Sequence, residues 1–480
     1  MSKKNFMKAM GAVNDESIER YARFEKTLER RNKKARFIRI TAIAACFAIL
    51  IAAIPVSLYF RNDSSPEPII EHDYFVMDGA AVKQLTSSKF KPTRVAGKVS
   101  DKFKDAAANF AFELLKESNK AGYEGDSLLI SPLSVMLALS MTANGAAGET
   151  LEQFEEVLGG KMDIDALNAQ LFNYTSSLSS TDKAKFNLAN AVWLTSDPSF
   201  SVNRNFISRI ESTFDADVIA ADLSNPGVAH EINSWVKKET FNMIDKIIDE
   251  GSLDGRTIMV LLNAIAFDAK WETEVSDKQC YEGTFNGTNG NDTVTFMSTS
   301  GDRYLEGDNE VGFIKKYAGG DYAFLALLPD EGIAMDDYVK SLTGEEFLKI
   351  CDKSSLNSYK VTAIIPHFTF DCSLNMNGIL KKMGMEDAFN PFKADLSGIG
   401  QSANDTLYIS EVLHKTHIEL DNNGTKAAAV TSVTIKATGY TSNDRIKTVT
   451  LDRPFVYAII DTAAGLPIFL GVCENISGQK

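Results

Sequence analysis

The motifs that most often mark an enzyme are missing from this chain of 480 residues. It holds no G-x-S-x-G elbow, no H-E-x-x-H pair, no P-loop and no G-x-G-x-x-G turn. Histidine is scarce: His72, His230, His367, His414 and His417 are all there are. His414 and His417 stand three apart in an alternating stretch, so on a strand they face opposite sides and make a poor metal pair. Asn291-Asp292, in a Gly/Asn-rich stretch, reads as a solvated hairpin turn rather than a calcium loop. These absences exclude the common hydrolases, metalloenzymes and nucleotide-dependent enzymes. No catalytic residue, metal or cofactor is expected.

Cysteine is equally thin. Cys46, Cys280, Cys351, Cys372 and Cys473 show no C-x-x-C spacing, which removes zinc ribbons and dithiol redox motifs. Their scatter reads as buried free thiols. Positive charge is in deficit, with 50 Lys and Arg against 64 Asp and Glu. It is also unevenly spread: residues 1–39 carry 12 Lys or Arg against 5 Asp or Glu, which leaves −21 for the rest of a chain whose total is −14. So acidic a body repels polyanions, and no nucleic-acid partner is expected.

From Ile40 to Phe60 charge vanishes for 21 residues, enough to cross a bilayer as a helix. Lys33, Lys34, Arg36 and Arg39 crowd its N-terminal side, which places that side in the cytoplasm. Ile43-Ala44-Ala45-Cys46 looks like a lipoprotein processing box, but the apolar run continues well past Cys46. The expected organisation is a basic cytoplasmic segment at 1–36, a single-pass transmembrane helix at 37–60, a polar extracellular linker at 61–100 opened by Asp63-Ser64-Ser65-Pro66-Glu67-Pro68, and a folded domain at 101–480.

Within that domain the spacing predicts helices over Phe103–Ser118, Glu149–Leu158 and Phe206–Phe214. Phe186–Leu194 alternates like a strand. Met259–Phe267, Tyr322–Leu328 and Phe455–Ile460 are near-continuous apolar runs, as central strands covered on both faces would be. Helices crowd the first half and strands the second, which predicts an α+β fold.

Gly424 to Tyr440, GTKAAAVTSVTIKATGY, stands apart. By parity, Thr425, Ala427, Ala429, Thr431, Val433, Ile435 and Ala437 are uncharged, while Lys426 and Lys436 fall on the other face. Turn formers flank it on both sides, so the segment is competent as loop or as strand.

Here the chain resembles the serpin family, and further matches follow in the family's order. They are Ser131-Pro132-Leu133-Ser134, Asn144 to Thr150, Asn233-Ser234-Trp235-Val236, Leu262-Asn263-Ala264-Ile265 leading to Trp271, and Ile365-Pro366-His367-Phe368. Ala394-Asp395-Leu396-Ser397-Gly398-Ile399, His414-Lys415, Arg453-Pro454-Phe455 and Pro467-Ile468-Phe469-Leu470-Gly471 complete the series. The resemblance implies a large central mixed sheet, further sheets, eight to nine helices and an exposed reactive-centre loop. It implies a monomer that is bait rather than enzyme: an extracellular serine protease, or a cysteine protease, cleaves the loop and is trapped as an acyl-enzyme when the loop inserts as a new strand.

The implied hinge is Gly424, Thr425, Lys426, Ala427, Ala428 and Ala429, and the implied reactive bond is Thr438–Gly439. The tail to Pro454 is long enough that Ala437, Gly439 or Tyr440 is an alternative cleavage residue. A small residue there implies elastase-like or subtilisin-like targets. Ser131, Ser134, Asn263 and His414 match positions that hold the sheet's opening region, and Trp271 matches the tryptophan where insertion starts; alone, each would read as a cap or core residue. Two departures stand out: Asn422 and Lys426 occupy positions where the family usually has Glu. A non-inhibitory serpin serving as a surface binding module is the alternative. Asn423-Gly424-Thr425 is also a glycosylation sequon, and a glycan there would block insertion, which fits a bacterial surface protein.

Overall fold

The computed structural model describes residues 74–76, 82–86, 97–121, 126–253, 257–352, 359–403, 406–425 and 445–476. All belong to one compact unit, Ile70–Lys480. The expected cytoplasmic segment and membrane span lie outside the described residues, among which no helix is long and apolar enough to cross a membrane.

Nine α-helices occur among the described residues: α1 (Asp101–Lys120), α2 (Pro132–Ala143), α3 (Gly148–Gly159), α4 (Ile164–Ser177), α5 (Arg204–Phe214), α6 (Pro226–Glu239), α7 (Met335–Ser341), α8 (Gly344–Cys351) and α9 (Asn377–Lys382). Their ends follow local chemistry. Ser100 caps α1 by accepting from the Phe103 amide at 3.2 Å, and Asp101 and Lys120 complement the two ends of its dipole. In α2, Pro132 fits the first turn, where its missing N–H costs nothing. Every residue of α2 except Ala138 is buried, as an interior helix requires.

The central sheet has seven strands in the order β14 (Phe368–Asn375), β16 (Leu413–Leu420), β17 (Gly424–Thr425), β7 (Met259–Lys270), β4 (Ala184–Thr195), β6 (Asp217–Ala221) and β2 (Val82–Gln84). Only β4 and β6 pair in parallel, so the sheet is mixed. A six-stranded sheet runs β10 (Arg303–Glu306), β11 (Glu310–Lys316), β12 (Tyr322–Pro329), β19 (Phe455–Asp461), β20 (Pro467–Cys473) and β3 (Leu128–Ile130). A four-stranded sheet orders β18 (Ile446–Thr450), β13 (Lys360–Pro366), β9 (Gly290–Gly301) and β8 (Cys280–Gly287). The smallest joins β1 (Tyr74–Val76), β5 (Phe200–Asn203) and β15 (Gly400–Ser402).

The arrangement is the expected α+β fold. One face of the central sheet packs on the main core with α1, α2 and the six-stranded sheet. The opposite face is covered by a second apolar cluster in which Ile232 and Val236 of α6 meet Trp193, Ile219 and Leu262. Cys280, Cys351, Cys372 and Cys473 are free thiols.

Two local expectations change. The stretch read as a linker contributes β1 and β2, and β2 closes the edge of the central sheet against β6. Three-residue strands carry no periodicity to reveal them in sequence. Asn291 and Asp292 are not a turn but the start of β9, where Asp292 accepts from the Ile476 amide at 3.2 Å.

Candidate functional site

The site begins where the chain reverses after β16. Asp421 organises the turn, its Oδ1 accepting from the amides of Asn423 at 2.7 Å and Gly424 at 3.2 Å. Gly424 has φ +149, and a Cβ built on it would sit 2.0 Å from the Ala269 carbonyl oxygen. No other residue fits that approach without displacing β7. Gly424 and Thr425 form β17: Gly424 pairs with Lys270 and Thr425 with Ala269 on one side, and Thr425 with Leu420 on the other, both antiparallel.

Thr425 is 3% exposed. Its hydroxyl lies 2.5 Å from the Tyr317 hydroxyl. Tyr317 in turn stacks on Trp271, with centroids 4.7 Å apart and planes 8° from parallel, and Phe267 meets it edge-on at 4.9 Å. Trp271 Nε1 donates to the Asp421 carbonyl at 2.9 Å, so the platform beneath the hinge also holds the turn above it. Asn422 Nδ2 donates to Asp277 at 3.1 Å and to the Val275 carbonyl at 3.3 Å, contacts in which Asn serves and Glu would meet a like charge. Tyr317 carried no sequence signal; Phe267 was marked only as the end of an apolar, family-matching run and Asp421 only as a turn former.

Beyond Thr425 the sheet is unusual. Among the described residues no ladder joins β7 to β16 except through β17. The two strands bracket a cavity of about 810 Å³ lined by Val135 and Leu139 of α2, Leu261 to Asn263 of β7, and Leu413 and His414 of β16.

At this opening four residues singled out from sequence come together. His414 is buried, and its Nε2 accepts from the Ser131 amide at 2.9 Å, so the ring is neutral with its proton on Nδ1. Burial alone pushes its pKa down to about 4. Ser131 Oγ donates to the Ile468 carbonyl at 2.9 Å and accepts from the Ser134 amide at 3.3 Å. Ser134 Oγ reaches the Asn263 carbonyl at 3.5 Å. The N-terminus of α2 therefore ties both bordering strands. Asn263 Nδ2 donates to Asn190 Oδ1 at 2.6 Å, a partner no sequence pattern marked, while Asn263 Oδ1 is buried without a hydrogen bond. His417 faces away and pairs with Asp371 at 2.9 Å, so the two histidines are separated as expected. Among the described residues no group of three or more His, Cys, Asp or Glu is placed to hold a metal. Lys426, Ala427, Ala428, Ala429, Thr438 and Gly439 lie outside the described residues.

The depressed His414 pKa has a definite sign. Between pH 6.5 and 4 the unfolded chain binds a proton the native state refuses, so native stability falls as pH drops through that window. The loss reaches about 3 kcal/mol at its foot. Urea unfolding of the uncleaved chain from pH 7 to 4 measures it, and His414→Gln is expected to flatten this part of the profile.

The site is thus a sheet parted at its centre, with a two-residue strand seated at the top of the parting. A family model described as serpin (serine protease inhibitor) matches residues 105–476, and the chain belongs to that family. It is 30% identical over 378 residues to an uncharacterized serpin-like protein of Thermococcus kodakarensis, covering 77% of this chain and 85% of that one. It is 27% identical over 387 residues to leukocyte elastase inhibitor A of Mus musculus, covering 76% and 97%. Among solved structures, the thermophilic serpin tengpin in its native state is 41% identical, covers 83% of this chain and all of its own, and superposes with a TM-score of 0.75. The same serpin in its latent state gives 0.70. The chain is thus of a protease-inhibitor family and is not an enzyme.

Proposed function

We propose that this chain is a suicide-substrate inhibitor of extracellular serine proteases of elastase-like or subtilisin-like type, held at the cell surface by residues 37–60. The protease attacks the Thr438–Gly439 bond; the freed segment then inserts between β7 and β16 before water hydrolyses the acyl-enzyme, and the protease is trapped. The observation that carries this reading is β17, a strand of two residues already seated between two strands that nothing else joins among the described residues. The relative named as a leukocyte elastase inhibitor supports the target class.

The register of β17 fixes what insertion would meet. Carried onward, Ala427 falls between Phe267 and Ile418, and Ala429 between Ile265 and Thr416, all on the core side. Small residues there cost no bulk and no buried charge. Thr431 falls between Asn263 and His414, where its hydroxyl would meet the unpartnered Asn263 Oδ1. Lys426 falls on the outer face between Asp268 and Glu419. A lysine suits this sheet where the family's usual glutamate would be a third negative charge. Lys426→Glu is expected to slow insertion about threefold to tenfold, an effect that shrinks in high salt. Stopped-flow fluorescence after loop cleavage, at two ionic strengths, checks both halves of that statement.

The decisive experiment mixes the full chain in detergent with pancreatic elastase, subtilisin, chymotrypsin and trypsin. A complex that survives boiling, with a released C-terminal peptide beginning at Gly439, is the expected result. Loop cleavage that leaves every protease active would sink the inhibitor reading and favour a surface binding module.

A further inference from the structure

Lysine is among the residues least often found fully buried, and when buried it needs a reason. Lys315, near the end of β11, is 1% exposed. Its Nζ donates to Thr299 Oγ1 at 3.0 Å and to the Ser300 carbonyl at 3.3 Å, both on β9. It also stands 5.2 Å from the centroid of Trp271, within range of a cation–π contact. Trp271 lies flat on Tyr317, and Tyr317 holds Thr425. The acidic groups facing this ammonium are Asp302, in the turn before β10, and Glu272, after β7; neither forms an ion pair with it among the described residues. Tyr317, from the residues following β11, directs its hydroxyl to Thr425 instead.

We propose that Lys315 is a positioning residue for loop insertion: its buried ammonium holds Trp271 flat against Tyr317 and so keeps Thr425 seated between β7 and β16, ready to lead the rest of the segment in. The claim rests on the inhibitory reading above and adds a residue to it. A neutral lysine at the same place would keep its packing but lose its hold on the indole face. Burial pushes the Lys315 pKa down to about 8, so the charge is removable at a pH the folded protein withstands. Among the described residues its hydrogen bonds go to two neutral acceptors on β9 and its ring contact to Trp271, so the consequence is directed at the hinge.

The test uses the full chain, wild type beside Lys315→Met, Lys315→Arg and Trp271→Phe. Tryptophan emission of the uncleaved protein is titrated from pH 6.5 to 10. A step centred near pH 8 is expected in wild type and absent in Lys315→Met and Trp271→Phe. The rate of insertion after loop cleavage is then measured at pH 7 and 9.5. Wild type is expected to slow about threefold to tenfold at the higher pH, Lys315→Met to be slow at both, and Lys315→Arg to stay fast at both. An emission step that persists in Lys315→Met overturns the proposal, as does a Lys315→Met insertion rate equal to wild type. If Lys315→Met does not fold, the wild-type and Lys315→Arg profiles decide: identical pH dependence in both overturns it. Failure to trap any protease, with the emission step present, instead overturns the inhibitory reading and leaves the platform standing.

Discussion

On the proposed mechanism, Thr425→Arg is expected to turn the chain from inhibitor into substrate: loop cleavage continues, while the yield of boiling-resistant complex falls about a hundredfold. Thr425 is the first residue of the hinge with both strand neighbours in place, and its side chain points into the core against Tyr317. An arginine at that position must either bury an unpaired charge, at several kcal/mol, or pull β17 out from between β7 and β16. On the proposed mechanism trapping is a race between insertion and hydrolysis, so any cost in the insertion barrier appears directly in the partition. About 2.7 kcal/mol is enough for two decades. Thr425→Val is the control. It loses the hydroxyl contact to Tyr317 but keeps the shape, and it is expected to lose no more than about threefold to tenfold in trapping, far less than Thr425→Arg. Gel quantitation of complex against cleaved chain over a range of protease ratios reads both variants. Equal trapping by Thr425→Arg and wild type would mean that insertion does not pass through this strand.

How far the sequence foretold this site depends on what kind of signal each residue carries. The α+β fold was legible because long elements advertise themselves: β7 is a near-continuous apolar run, α1 a clear helical stripe, and the alternating stretch read as a strand lies within β4, Ala184–Thr195, although its second half is buried on both faces. Gly424 was legible as a backbone turning point because a glycine set between turn formers and a run of small residues marks a place where a side chain would obstruct the chain, and the close approach to Ala269 is that obstruction. The residues around it were not. Lys315 and Lys316 are adjacent and look alike in sequence, yet one is buried against Trp271 while the other is only partly covered; which one turns inward is decided by strand register, a tertiary fact. Asn190 became part of the opening region only because β4 and β7 pair so that it faces Asn263. The N-terminal strands β1 and β2 were hidden by their shortness. At three residues each, they hold their places through partners more than a hundred residues away.

Cleavage of the loop is expected to raise the melting temperature by roughly 20 °C or more. Among the described residues of the uncleaved chain, β7 and β16 are joined only through the two residues of β17, although β7 continues for ten residues from Asp268 back to Met259. A segment inserted in the same register gains ladder hydrogen bonds on both sides, on the order of ten or more, each worth about 1 kcal/mol net. Its inward side chains, Ala427, Ala429, Val433 and Ile435, would leave water for the face that already holds Phe267 and Ile265, which offsets the entropy of ordering the segment. For a domain of this size each net kcal/mol moves the midpoint by about 2 °C, so a gain of ten or so gives the stated rise. The uncleaved fold is then a state kept by a kinetic barrier, and its shortage of pairing at the centre of the largest sheet is the stored free energy that trapping would release. Calorimetry of intact and loop-cleaved protein, with the cut mapped between Lys426 and Asp444, measures the rise. Two melting points within a few degrees of each other would mean that the severed segment never enters the sheet, and the parting between β7 and β16 would then need a different occupant.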